Sequence, residues 1–355
     1  MMDYKEASLK YIEKEGKTMD KVKVGIAGLG RLGKVHANNI CYKIPGAKLT
    51  AACSVAEAEL EYAKNELGVS DVYTDYLEML KSADIDAVAI VTTSSEHCWQ
   101  IEAALAAGKH VFCEKPLGIN EEECKAAERA VEKYPDKIFF LGFMRRYDPS
   151  YAYAMQKIKE GAIGKPYLVK ATGIDPESLV EGSIKFCSTS GGIYIDMASH
   201  DIDLMRWFLG EEVTEVYALG CTFKHPEFEA NGDCETGCAM FRFKNGAIGQ
   251  IHVGRTAAHG YHIETEVVGT EGSIRISPVP AKNLAMIYDK NGAVVECVGS
   301  FPERFADAYV LEMKEFIACI REGRKPDVTV YDGTKSTKIA YAAAQSLKEH
   351  HPVQL

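Results

Sequence analysis

Apolar positions along the chain change their period near residue 143. Before it lie short apolar runs, VKVGIAGLG (22–30), AKLTAACSV (47–55), DAVAIVTT (86–93), KHVFCEKP (109–116) and KIFFLGF (137–143). They predict β-strands, and the segments Glu57–Leu67, Tyr76–Lys81, Cys98–Ala107 and Glu121–Lys133 between them carry helical spacing. Strands alternating with helices build a parallel, doubly wound α/β sheet. Past 143, after a helix over Ser150–Glu160, the apolar runs lengthen and alternate: PYLVKATGI, VTEVYALGCTF, GCAMFRFKNGAIGQIHVG, YHIETEVVG and GSIRIS. Asn245-Gly246 and Asn291-Gly292 between such runs are hairpin signals. A second, mostly antiparallel sheet is therefore expected, with an apolar helix over 193–209 packed on it and helices over Phe305–Arg321 and Thr334–Lys348 closing the chain. The expected divisions are an extension at 1–20, a dinucleotide-binding domain at 21–143, a substrate and oligomerisation domain at 144–325, and a returning helix at 326–355.

Composition narrows the partners. Hydrophobic residues make up 46% of the chain and charged ones 26%, the balance of an ordinary globular protein. A net charge of −10 with no dense basic patch argues against nucleic acid or an anionic membrane. The first 20 residues, MMDYKEASLKYIEKEGKTMD, are polar and charged rather than signal-like, and 11 scattered cysteines suit a reducing cytoplasm. Cys234, Cys238 and His225 lack the recurring spacing of a structural zinc site, so no metal is expected.

Three stretches carry chemistry. Gly28-Leu29-Gly30-Arg31-Leu32-Gly33 is a G-x-G-x-x-G between a predicted strand and a predicted helix. In that setting the glycines and the helix amides, at Gly28, Gly30, Arg31 and Leu32, form a pyrophosphate cradle. An inert glycine turn is the alternative. Ser54 stands where a dinucleotide site usually carries an acid for the adenosine ribose, and no Lys or Arg follows it within the next five residues. The nearest acids, Glu57 and Glu59, also weigh against a 2′-phosphate, which favours NAD, with NADP as the second candidate. In CEKPLG (113–118), Glu114 and Lys115 end a predicted parallel strand, the edge at which open sheets bind ligands. A turn lysine at the surface fits the position equally well. In GGIYIDMASHDIDLMRWFLG (191–210), Asp196, His200 and Asp203 are spaced four and three apart on an otherwise apolar helix expected to end at Gly210. Buried ionisable groups are costly unless paired or used.

Together the glycine fingerprint, AAGKHVFCEKPLG and GGIYIDMASHDIDL closely resemble the glucose–fructose oxidoreductase / inositol dehydrogenase family, and GFMRRYDPSY (142–151) is similar to its inositol 2-dehydrogenase branch. The resemblance implies a Rossmann domain followed by an α/β domain with an open-faced sheet, through which homo-oligomers of four or more subunits form. It implies hydride transfer between NAD(P) and a secondary hydroxyl of a small cyclic polyol or sugar. Lys115, Asp196 and His200 take the catalytic positions, and Thr92, Thr93, Ser94 and His97 line the cofactor site. His200 suits the general base, with Asp196 orienting it or holding substrate and Lys115 stabilising the alkoxide. Asp203 either supports His200 or serves the helix surface. Arg146 and Tyr147 reach the domain junction, where Arg146 forms a wall of the substrate cleft or lies at the surface.

The substrate side departs from the inositol pattern. Gly173-Ile174 precedes Asp175-Pro176 where polar or basic residues are usual, and His259 stands near Tyr261 where tyrosine is common. With Asp175, His259 and Tyr261 as substrate contacts, a wall opened at Gly173 admits a second reading, a glycoside 3-dehydrogenase. The resemblance also includes inactive NAD(P)-sensing relatives, which are marked by loss of the lysine or histidine that this chain retains.

Overall fold

The computed structural model describes residues 20–277, 280–290 and 292–355. The expected extension at 1–20 lies outside it except for Asp20, as does Asn291 of the second hairpin signal.

The N-terminal half follows the strand–helix alternation. Strands β1 (Val22–Ala27), β2 (Ala47–Cys53), β3 (Asp71–Tyr73), β4 (Ala87–Ile90), β5 (His110–Glu114) and β6 (Phe139–Gly142) pair in parallel in the order β3-β2-β1-β4-β5-β6. Helices α1 (Arg31–Tyr42), α2 (Glu57–Asn65), α3 (Tyr76–Ser82), α4 (His97–Ala106) and α5 (Glu121–Lys133) connect them. Strand order reverses between β1 and β4, which opens a ligand crevice at their carboxyl ends. The three-residue β3 carries too little apolar alternation to be read from the sequence.

After α6 (Pro149–Lys159) the chain forms a mixed seven-stranded sheet. Its strands are β7 (Pro166–Pro176), β8 (Val213–Cys221), β9 (Thr236–Phe243), β10 (Ile248–Ala257), β11 (His262–Gly269), β12 (Ser273–Ile276) and the C-terminal Val353–Gln354. The order is β12-β11-β7-β10-β9-β8 followed by that terminal strand, and only β7 and β10 run parallel. The Asn245-Gly246 hairpin joins β9 to β10, while Ile287–Asp289 pairs with Gly292–Val294 as a separate ribbon. Val169, Ala171, Val216, Ala218, Phe241, Ile251 and Val253 alternate onto the covered face and share one core with Ile195, Ile202, Met205 and Phe208. Tyr217, Leu219, Cys238, Met240 and Ile248 alternate onto the other face and are exposed.

The segment expected as one helix over 193–209 is broken. Helix α7 (Val180–Ser190), absent from the sequence reading, ends at Gly191 in the left-handed region. Then come a single turn, α8 (Ile193–Asp196), and a separate α9 (Ser199–Leu209) capped by left-handed Gly210 (φ 61°). Two long helices, α10 (Ala306–Glu322) and α11 (Val330–Glu349), close the fold. Helix α10 packs on α1 while α11 packs on both α5 and β8, so the C-terminal segment ties the two sheets together. No helix among the described residues is long and apolar enough to cross a membrane.

Candidate functional site

The fingerprint loop needs its glycines. Gly28 has φ 87°, and a Cβ there would sit 2.5 Å from the Val91 carbonyl oxygen; one on Gly33 would sit 2.1 Å from that of Gly28. Strand, loop and helix thus close up to a distance only glycine permits, leaving Gly30 and Arg31 exposed at the amino end of α1. This arrangement fits a dinucleotide pyrophosphate. Across the crevice, Thr92, Thr93 and Ser94 follow β4 at partly or fully exposed positions, with Thr92 Oγ1 donating to Gln100 (2.6 Å). His97 is buried beneath this loop. Its Nδ1 lies 2.7 Å from the Pro116 carbonyl and Nε2 lies 3.3 Å from that of Thr92. Burial lowers its pKa, and the ring braces the two loops that carry Thr92 and Pro116.

Lys115 reaches from the end of β5 into the second half, where Nζ donates to the backbone carbonyl of Asp196 (3.1 Å). Next in chain order on α9, His200 is 7% exposed and stands edge-on to Phe143. Burial first, then the charges of Lys115 and Arg145, hold its pKa well below 6.5. The imidazole is therefore neutral at physiological pH and ready to accept a proton. Asp175, at the end of β7, belongs to the same group: burial and the nearby Asp196 raise its pKa to about 6 against the opposing pull of Arg255, Lys115 and Arg31. Tyr261 is buried beside Arg145 and Asp175. Lys115, Asp175, Asp196, His200 and Tyr261 thus gather where the two halves meet.

Several expected residues lie elsewhere. Arg146 does not join the cleft: Nε donates to Asp203 (2.8 Å), and Nη2 donates to Asp203 and to Asp332 (3.0 Å). Asp203 therefore serves this buried pairing and not His200. Its neighbour Arg145 takes the cleft side, with Nη1 on Asp201 Oδ1 (2.5 Å). The two arginines share a 3₁₀ turn (Met144–Tyr147), whose direction the sequence does not reveal. Gly173 opens no wall, because a Cβ there would lie 3.1 Å from Asp201 Oδ2 and 3.6 Å from Ile263. His259 is exposed and leans on His262 (3.2 Å). His225 pairs with Glu177 (2.8 Å), while buried Cys234 packs under Gly220.

Other members of the site were missed. Arg255 is 1% exposed and spans two carboxylates, with Nη1 3.2 Å from Asp196 Oδ2 and Nη2 3.3 Å from Asp233 Oδ2. It holds Asp196 from behind. The signal was present: Ile251, Val253 and Arg255 share the inward side of β10, a costly place for an unpaired charge. A second buried cluster adjoins Lys115. Glu114 Oε1 lies 2.7 Å from His36 Nε2, and its Oε2 accepts the Lys115 amide (3.1 Å). Glu312 of α10 approaches the same nitrogen at 4.0 Å. Among the described residues these three alone have ligand atoms close enough to share a cation, but all three are buried and the set supplies fewer than the four ligands of structural zinc. Glu114 thus braces the Lys115 backbone from a buried position.

Residues 22–143 match the model of the oxidoreductase family with an NAD-binding Rossmann fold, and residues 151–275 match the GFO/IDH/MocA C-terminal domain. The chain is 38% identical to the scyllo-inositol 2-dehydrogenase (NAD(+)) of Bacillus subtilis over 94% of its own length and 96% of the relative's. It is 35% identical to the myo-inositol 2-dehydrogenase of Thermotoga maritima, covering 94% and 98%. The scyllo-inositol dehydrogenase of Lactobacillus casei, solved with NAD(H) and scyllo-inositol, superposes with a TM-score of 0.93 at 44% identity, covering 94% and 99%.

Proposed function

The chain belongs to the GFO/IDH/MocA oxidoreductase family, and from that premise we propose that it oxidises a ring hydroxyl of an inositol, using Lys115, Asp196 and His200. It is an NAD-dependent dehydrogenase acting on CH–OH groups. NAD, when bound, supplies the hydride acceptor. The observation that carries the proposal is the meeting of Lys115 Nζ with the Asp196 carbonyl at 3.1 Å, beside the neutral, buried His200.

Gly28, Gly30 and the first amides of α1 bind the pyrophosphate, and the 92–94 loop borders the dinucleotide. His200 takes the hydroxyl proton as the carbinol C–H bond delivers its hydride, leaving a cyclic ketone and a protonated imidazole. Lys115 is the cation that stabilises the developing alkoxide. Asp196, fixed by Arg255, and Asp175 accept neighbouring ring hydroxyls, which orients the reacting carbon. Arg145 and Tyr261 border them. The close packing at Gly173 removes the missing-volume argument for a glycoside substrate and favours the inositol reading.

Self-association belongs to the same proposal. Tyr217, Leu219, Met240 and Ile248 form an exposed apolar stripe on the open face of the second sheet, a surface suited to a second copy. The thiol-rich, acidic composition supports a cytoplasmic setting. The test is NADH formation by the purified protein with scyllo-inositol, myo-inositol, glucose and an aryl glucoside. Turnover of an inositol supports the proposal; turnover of the glucoside alone overturns it.

A further inference from the structure

At the end of β2, Ser54 leaves the adenosine ribose without the acid a dinucleotide site usually carries there. The fold brings a carboxylate to that place from another element. Glu59 stands in the first turn of α2, shortly after the end of β2, and its side chain folds back toward the glycine loop. Oε2 accepts the Leu29 amide of the fingerprint (3.1 Å) and the Ser54 hydroxyl (2.6 Å). Ser54 Oγ in turn accepts the Ala56 amide (3.1 Å), so the serine is oriented as a donor to the carboxylate. Oε1 accepts no hydrogen bond from the described residues and lies 3.8 Å from where a Cβ on Gly30 would be, facing the exposed part of the loop.

We propose that Glu59 is the residue that selects NAD over NADP in this chain, with Ser54 as its positioning partner. One carboxylate oxygen is anchored by the loop amide and Ser54, and the other remains to accept the ribose hydroxyls. A 2′-phosphate would meet this negative charge at close range, and Glu57 in the same turn adds another. The nearby Lys34 is held over the Tyr62 ring (4.6 Å). At about 4 Å, across a surface-like dielectric, the repulsion lowers NADPH affinity about tenfold or more.

This inference rests on the dinucleotide site described above. Fluorescence titration of NADH and NADPH, with no polyol present, separates the two. The wild type is expected to bind NADH at least about tenfold tighter than NADPH. Glu59→Gln, which keeps the shape and removes the charge, is expected to shrink that ratio about tenfold, chiefly through tighter NADPH. Ser54→Ala keeps the charge and is expected to retain most of the preference. An unchanged ratio in folded Glu59→Gln overturns the proposal. So does equal binding of both dinucleotides by the wild type, a result that needs no variant. Binding of neither overturns the cofactor site and this inference with it.

Discussion

Arg255→Met removes the guanidinium from between Asp196 and Asp233 while keeping an unbranched apolar stem in its place. Arg255 is 1% exposed and lies over the Phe228 ring (5.4 Å), so the stem still has a packing surface. Loss of one partner from a buried ion pair costs about 3–5 kcal/mol, mostly through the charge left behind. Here the stranded groups differ: the Asp233 side chain is 3% exposed, whereas that of Asp196 is 22% exposed and regains water. Asp233 also keeps the Ile193 amide on Oδ1 (2.8 Å). The expected loss is therefore at the lower end, about 3 kcal/mol. Activity falls further than stability suggests, because an Asp196 displaced by about 1 Å misplaces substrate and costs about 100-fold in kcat. Arg255→Lys, which carries the charge to only one carboxylate, falls between. Thermal unfolding, steady-state kinetics with an inositol and NADH titration together make the assay. Dinucleotide affinity should be unchanged, since that site is built on the other sheet. A Met variant with wild-type melting and wild-type kcat refutes the reasoning.

Glu312 faces His36 and Glu114, with Tyr147 and Tyr309 alongside, and burial followed by the Glu114 charge holds its carboxyl well above the usual range. A raised folded-state pKa gives stability that is complete below the unfolded value of about 4.3 and is lost as pH rises toward the folded one. Glu312→Gln cannot ionise, so its melting temperature should gain on the wild type's as pH rises above the unfolded value of about 4.3; a constant margin contradicts this. Asp175, with its pKa raised to about 6 by burial and Asp196, should give kcat/KM for the polyol an acid limb there, activity falling as pH falls and the carboxylate is protonated. Asp175→Asn should abolish that limb at reduced activity, and a limb that persists assigns it to another group, such as His200, whose pKa is pushed down by burial and by the charges of Lys115 and Arg145.

Period and glycine placement made both sheets legible, because strand alternation and the strand–loop–helix context are local properties of the chain. The polar stripe of 191–210 stands out in the sequence as a set of costly charges, but its geometry does not. Its helix breaks between Asp196 and Ser199, and Asp203 turns to Arg146, a partner 57 residues away that spacing cannot reveal. Gly173 read as missing volume; only the packing of Asp201 against it shows there is no space to fill. Arg255 and Glu312 sat at core-facing positions of an alternating strand and an amphipathic helix, so a search for charges on inward faces would have found them. Glu59 could not be placed that way, since its contacts with Leu29 and Ser54 depend on a side chain folding back across two elements.

The most direct test of the account is turnover of an inositol with NAD by wild type, Lys115→Met and His200→Ala, each checked for unfolding temperature and NADH affinity. The account predicts NADH formation by the wild type and a fall of about 100-fold or more in kcat for each variant, in proteins that still fold and still bind NADH. Undiminished turnover in either folded variant would contradict it.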